Sequence, residues 1–88
     1  MMDWFCYLLR CADDTLYCGI TNDLGKRLAA HNAGTASKYT RARTPVELVF
    51  TETCAGRSAA SKREMEIKSL KRAGKLELIR LTSITENQ

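Results

Sequence analysis

Trp4-Phe5-Cys6-Tyr7-Leu8-Leu9-Arg10 is an apolar and aromatic run, and Leu16-Tyr17-Cys18-Gly19-Ile20 is a second. Between them lies the turn cluster Ala12-Asp13-Asp14-Thr15. Aromatic and bulky apolar side chains suit a pleated, buried surface, and a polar turn between two such runs makes a hairpin.

Outward from the hairpin the periodicity changes. Thr21-Asn22-Asp23 offers N-cap oxygens, and Leu24 and Leu28 set a helical stripe over 24–33. Gly34 suits a left-handed stop. Thr35 to Thr44 is basic and aperiodic, a loop with room for one helical turn. Pro45 opens a third strand over 46–53, with Val46, Leu48 and Phe50 alternating. Gly56-Arg57-Ser58 starts a second helix, which is expected to run to Ala73 and stop at Gly74. A short helix over 75–81 follows, and 82–88 is expected to be a disordered tail. The order β-β-α-β-α-α implies an α+β domain over 1–81, a three-stranded antiparallel sheet flanked by helices.

The chain has 88 residues and a net charge of +4. That length holds one domain, and one so small buries only about 60% of the surface its unfolded chain exposes. From Lys26 to Lys75 there are twelve Lys and Arg against four Glu. Such a centre points to a polyanionic partner, nucleic acid first. The start Met1-Met2-Asp3-Trp4 lacks the basic region of a signal peptide, and no apolar run approaches the roughly 20 residues of a membrane span. A cytoplasmic protein without a membrane association is expected. Cys6, Cys11, Cys18 and Cys54 form no C-x-x-C pair and His31 is the single histidine. The spacing of a structural zinc site is missing, and four free thiols are expected.

Polar residues set among apolar ones are the candidates for chemistry. Tyr7 and Tyr17 sit on the two arms of the hairpin. Arg27 and His31 are spaced i, i+4 and share a helix face beside the Leu24/Leu28 stripe. Glu64 lies at the edge of the stripe Ala60, Ile67, Leu70. A half-buried carboxylate needs a partner, either Lys68 at i+4 or a divalent metal ion. In the basic loop, Lys38, Arg41 and Arg43 can grip phosphates and Tyr39 can stack on a base or sugar. Lys68 joins them as a candidate nucleic-acid contact.

Taken in order, these residues resemble the GIY-YIG nuclease family over about residues 4 to 80. The first family signature reads Phe5-Cys6-Tyr7 here, and the second reads Tyr17-Cys18-Gly19. Gly19-Ile20-Thr21-Asn22-Asp23-Leu24, Arg27-Leu28, His31-Asn32 and Glu64-Met65-Glu66-Ile67-Lys68 look like the small stand-alone bacterial members. The first three of these stretches also resemble the Slx1-type endonucleases. The resemblance implies a metal-dependent endonuclease acting on DNA, including branched, flapped or single-stranded forms, with a role in DNA repair. Its catalytic residues would be Tyr7, Tyr17, Arg27, His31 and Glu64. It further implies one Mg2+ or Mn2+ on Glu64, Arg27 at the scissile phosphate, and Tyr7 as general base oriented by His31 and Tyr17. A targeting partner protein is compatible with so small a nuclease. The alternatives are a nucleic-acid-binding module of the same fold that cuts little or nothing, and an interaction domain without nucleic acid.

One geometric condition follows. A two-residue loop at Asp13-Asp14 pairs Tyr7 with Ile20 and puts the tyrosines on opposite faces. A three-residue loop, Ala12-Asp13-Asp14, or a bulge pairs Tyr7 with Gly19 and brings them to one face. The odd register is expected, and Gly19 fits it by leaving room for a close approach.

Overall fold

The computed structural model describes residues 3–86, with side chains described to Thr82. Strands β1 (Trp4–Arg10) and β2 (Leu16–Thr21) form the hairpin. Helix α1 (Leu24–Ala33), the single-turn α2 (Lys38–Arg41) and β3 (Glu47–Cys54) follow. Helices α3 (Arg57–Lys68) and α4 (Arg72–Glu86) complete the chain. The sheet order is β2-β1-β3, with both pairs antiparallel.

The hairpin takes the odd register. Tyr7 pairs with Gly19 and Leu9 with Tyr17. Cys11 N–H donates to the Thr15 carbonyl at 2.9 Å, which closes a three-residue loop over Ala12-Asp13-Asp14. Asp14 takes the left-handed conformation at φ 67°, which aspartate tolerates. The Asp13 carboxylate accepts from the Thr15 hydroxyl and backbone and from Arg43.

Alternation divides the core between the two faces of the sheet. On one face Cys6, Leu8, Cys18, Phe50 and Cys54 pack with Ala60 and Ile67 of α3 and with Leu78 and Ile79 of α4. On the other, Tyr7, Leu9, Cys11 and Val46 pack with Tyr17 and with Leu24 and Leu28 of α1. Burying each large apolar side chain contributes about 1.5–3 kcal/mol. All four cysteines are free thiols within this packing. In β3 the simple alternation breaks. Leu8 pairs with Phe50 and Leu9 with Leu48, so Val49 is an extra residue. Val49 then packs on the same core as Phe50, and Leu48 is left 36% exposed.

The second helix ends earlier than its pattern suggests. The Ser69 hydroxyl donates to the Glu66 carbonyl and Leu70 N–H to that of Ile67, which turns the chain after Lys68. Gly74 lies inside α4 and is not a stop. A β-carbon there would stand 3.3 Å from Leu70 Cβ, so its missing side chain serves close packing across the turn. Leu70 is 37% exposed, off the stripe expected of it. The last helix continues to Glu86, past the residue 82 where a tail was expected to begin; residues 87–88 lie outside the described residues.

Candidate active site

The odd register puts both tyrosines under α1. Tyr7 is only 2% exposed. Its hydroxyl lies across its partner Gly19, where a β-carbon would stand 2.5 Å from Oη. The phenol therefore occupies the space of an absent side chain.

Helix α1 brings His31 to that hydroxyl. The Asp23 carboxylate caps the helix by accepting from Lys26 N–H at 3.0 Å, and Gly34 ends it at φ 81°. The Asn32 side chain pairs in both directions with the Val46 backbone, which anchors α1 to the start of β3. The i, i+4 spacing puts Arg27 and His31 on one helix face, and Arg27 is exposed. His31, however, is wholly buried. Its Nε2 lies 2.9 Å from the Tyr7 hydroxyl and its Nδ1 lies 2.7 Å from the Thr40 hydroxyl. Burial, and then the charge of Arg27, hold His31 below the ordinary imidazole range, so it is neutral at pH 7.

Thr40 comes from α2 and has no exposed surface. Sequence reading missed it. The available signal was Ser37, whose hydroxyl caps α2 and turns the residue three positions on inward.

A file of rings covers the site. Tyr17 meets His31 edge-on at 5.2 Å and stacks with Tyr39 at 5.8 Å. The Arg43 guanidinium lies 4.0 Å over the Tyr39 ring. Tyr39 is thus packed by Tyr17 and by Arg43, and stays 38% exposed. Arg43 also donates to Asp13 at 3.0 Å and to the Tyr39 carbonyl at 2.8 Å, tying the basic segment to the hairpin loop. Lys38 and Arg41 are exposed on the same helical turn.

Glu64 arrives from α3, on the far face of the sheet. Its side chain is 21% exposed and pairs with Lys68 at 3.4 Å. Its charge still reaches the tyrosine. Burial pushes the Tyr7 phenol up, Tyr17 adds to this, Arg27 opposes it, and Glu64 adds a smaller push. Glu64 also adds a small push to the Cys6 thiol, which its hydrogen bond with Cys18 and then burial hold well up, and it opposes the lowering of the Cys18 thiol by that same bond. A half-buried carboxylate with a single lysine partner is a chemical fit for a hard divalent cation. Such an ion would take one protein oxygen and fill its other positions with water and phosphate. Among the described residues no group of three or more His, Cys, Asp or Glu could hold a metal, so an all-protein cage does not fit.

A concavity of about 340 Å³ beside α1 is lined by Asn22, Lys26, Arg27 and Thr35, among others. It shares Arg27 with the site but not the tyrosines. No helix among the described residues is long and apolar enough to cross a membrane.

Two tyrosines thus meet one buried histidine, with an arginine on the same helix and a glutamate on a later helix across the sheet. Residues 3–77 match the GIY-YIG catalytic domain, and the chain belongs to that family. Within it, the chain is similar to UPF0213 proteins. It is 56% identical over 77 residues to one from Natronomonas pharaonis, covering 88% of this chain and 91% of that protein. It is 49% identical over 82 residues to one from Clostridium perfringens, covering 93% and 88%. The solution NMR structure of a UPF0213 protein from Bacillus halodurans matches with TM-score 0.59 at 38% identity, over 91% of this chain and 85% of that one. That of an E. faecalis protein matches with TM-score 0.64 at 35% identity, over 96% and 90%.

Proposed function

We propose that the chain is a metal-dependent endonuclease that hydrolyses phosphodiester bonds in DNA, with branched, flapped or single-stranded DNA as its substrates. The observation that carries this reading is the 2.9 Å contact between the Tyr7 hydroxyl and neutral His31. A tyrosine has a free pKa of about 10 and is a poor base until its own proton has somewhere to go. His31 is that place. As Tyr7 Oη takes a proton from the attacking water, the Tyr7 proton passes to His31 Nε2. Arg27, exposed and close enough to bear on both groups, neutralises the phosphoryl oxygens. A Mg2+ or Mn2+ ion on Glu64 would supply positive charge for the phosphate and the departing oxygen. Tyr17 keeps the His31 ring in place through its edge contact. Lys38, Arg41 and Lys68 provide phosphate contacts, which carry no base preference, so recognition rests on DNA shape or on a partner protein that brings the domain to its substrate. A role in DNA repair, in the cytoplasm of the cell, fits such substrates.

A second reading has one observation in its favour: Tyr7 is 2% exposed, so its hydroxyl is nearly closed to water. On that reading the chain is a nucleic-acid-binding module that does not cut. Labelled flap, branched and single-stranded DNA, incubated with Mg2+ or with EDTA, separates the two. Cutting that needs the metal and is lost in Glu64→Ala is the result expected of the enzyme. Salt-sensitive binding without cutting is the signature of the module, and absence of both overturns each reading.

A further inference from the structure

His31 is wholly buried, so both ring nitrogens depend on protein partners. A neutral imidazole has one N–H and one lone pair, and two assignments are open. In the first, Nδ1–H donates to Thr40, and Nε2 accepts from the Tyr7 hydroxyl. In the second, Thr40 donates to Nδ1, and Nε2–H donates to Tyr7.

The Thr40 hydroxyl separates them. It has an acceptor for its own proton, the Ser37 carbonyl at 3.4 Å in the first turn of α2. When Thr40 donates there, its lone pairs face Nδ1 at 2.7 Å. The chain of donors then runs one way, from Tyr7 to His31 to Thr40 to the Ser37 carbonyl, and each proton has an acceptor. The second assignment turns Thr40 away from Ser37. It also leaves the Tyr7 proton, in a residue 2% exposed, without an acceptor in the described hydrogen bonds. A buried donor left unpaired costs about 1–3 kcal/mol, enough to decide the tautomer.

We propose that Thr40 is a positioning residue that fixes His31 in the Nδ1–H tautomer, so that the Nε2 lone pair faces the Tyr7 hydroxyl. The tautomer itself follows from the hydrogen bonds alone. Its consequence for cleavage rests on the nuclease reading above. The task given to α2 is then to seal His31 and set the direction of its proton, rather than only to present basic side chains to a phosphate.

The chain's single histidine makes the test direct. Long-range 1H–15N spectra of 15N-labelled full-length protein at neutral pH report which ring nitrogen carries the proton. Wild type is expected to show a protonated Nδ1 and a bare Nε2; a protonated Nε2 overturns the proposal without any variant having to fold. Thr40→Val is expected to convert His31 to the Nε2–H tautomer or a mixture, and Thr40→Ser to keep the wild-type pattern. An unchanged spectrum in a folded Thr40→Val protein overturns the positioning role. Where wild type cuts DNA, Thr40→Val is expected to lower kcat at least ~10-fold with KM within ~2-fold, and Thr40→Ser to restore it. If wild type does not cut, the nuclease reading fails while the spectrum still decides the tautomer.

Discussion

Tyr7 and Gly19 are cross-strand partners, and the phenol of Tyr7 lies where a side chain on residue 19 would stand, 2.5 Å from Oη and 2.7 Å from Cζ. The ring cannot swing aside cheaply, because its hydroxyl is held by His31. Gly19→Ala is therefore expected to destabilise the fold by about 1–3 kcal/mol through overpacking. It should also lower cleavage at least ~10-fold by moving the hydroxyl off His31. Urea unfolding and a cleavage assay on the same preparation check both. An alanine variant of wild-type stability and rate removes the steric basis of the site.

Tyr7→Phe keeps the ring and deletes the hydroxyl. It leaves His31 Nε2 without its donor, at a stability cost of about 1–3 kcal/mol. Cleavage is expected to fall by ~100-fold or more, while affinity for flap DNA stays within ~2-fold. Retained cutting would rule out Tyr7 as the group that takes the proton from water.

Acid should weaken the fold through His31. The unfolded chain titrates near the ordinary imidazole value of 6.5, and the folded chain below it. As the pH falls through that window, the unfolded state takes up a proton that the folded state refuses. The stability contribution is thus complete above the unfolded value and declines as the pH falls toward the folded one. Urea midpoints are expected to be lower at about pH 5.5 than at about pH 7.5, and His31→Gln to flatten the difference. A wild-type midpoint that rises on acidification contradicts the buried neutral histidine.

Glu64 can be examined without any substrate. Mn2+ titrated into 15N-labelled protein should broaden amide signals around Glu64 on α3 and around Gly19 on β2, and EDTA should restore them. Glu64→Ala is expected to remove the effect. Broadening centred on Asp13, Asp14 or Glu77 in its place would put the ion elsewhere.

The basic residues should divide into two kinds. Lys38→Ala and Arg41→Ala are each expected to weaken DNA binding and to reduce the slope of log affinity against log salt by roughly 0.7–0.9. Arg43, engaged with Asp13 and over Tyr39, is expected to act on stability: Arg43→Ala should lower the urea midpoint and leave the salt slope within about 0.3 of wild type. Equal salt effects from all three would return Arg43 to the DNA surface.

Much of this was legible along the chain. The two strands of the hairpin, α1 with its Asp23 cap and Gly34 stop, the helical turn in the basic segment and the third strand all follow from periods of two and 3.6 and from local turn chemistry. The odd register was expected as well, because only it brings Tyr7 and Tyr17 to one face, and Gly19 fits it by leaving room opposite Tyr7. The break between α3 and α4 was not legible. Gly74 has the same local signature whether it ends a helix or packs against Leu70, and only the folded-back chain distinguishes these uses.

The residues of the site were named by order and spacing, but their working relationships were not. Arg27 and His31 share one helical face by periodicity, yet one is in water and the other sealed. That difference is made by Thr40, nine residues on, and by Tyr7, on a strand that α1 happens to cover. Tyr39 has the sequence context of a stacking platform, and only the fold sets Tyr17 and Arg43 against its ring. Sequence by itself determined most of the elements and the faces of the hairpin, because these are written within a few residues of chain, and the family resemblance singled out Tyr7, Tyr17, Arg27, His31 and Glu64 as candidates. The tertiary structure alone decided which polar group is buried, what accepts its proton and which charges fall upon it. Those depend on elements far apart in the chain being packed against one another, and burial, hydrogen bonding and electric field exist only once they are.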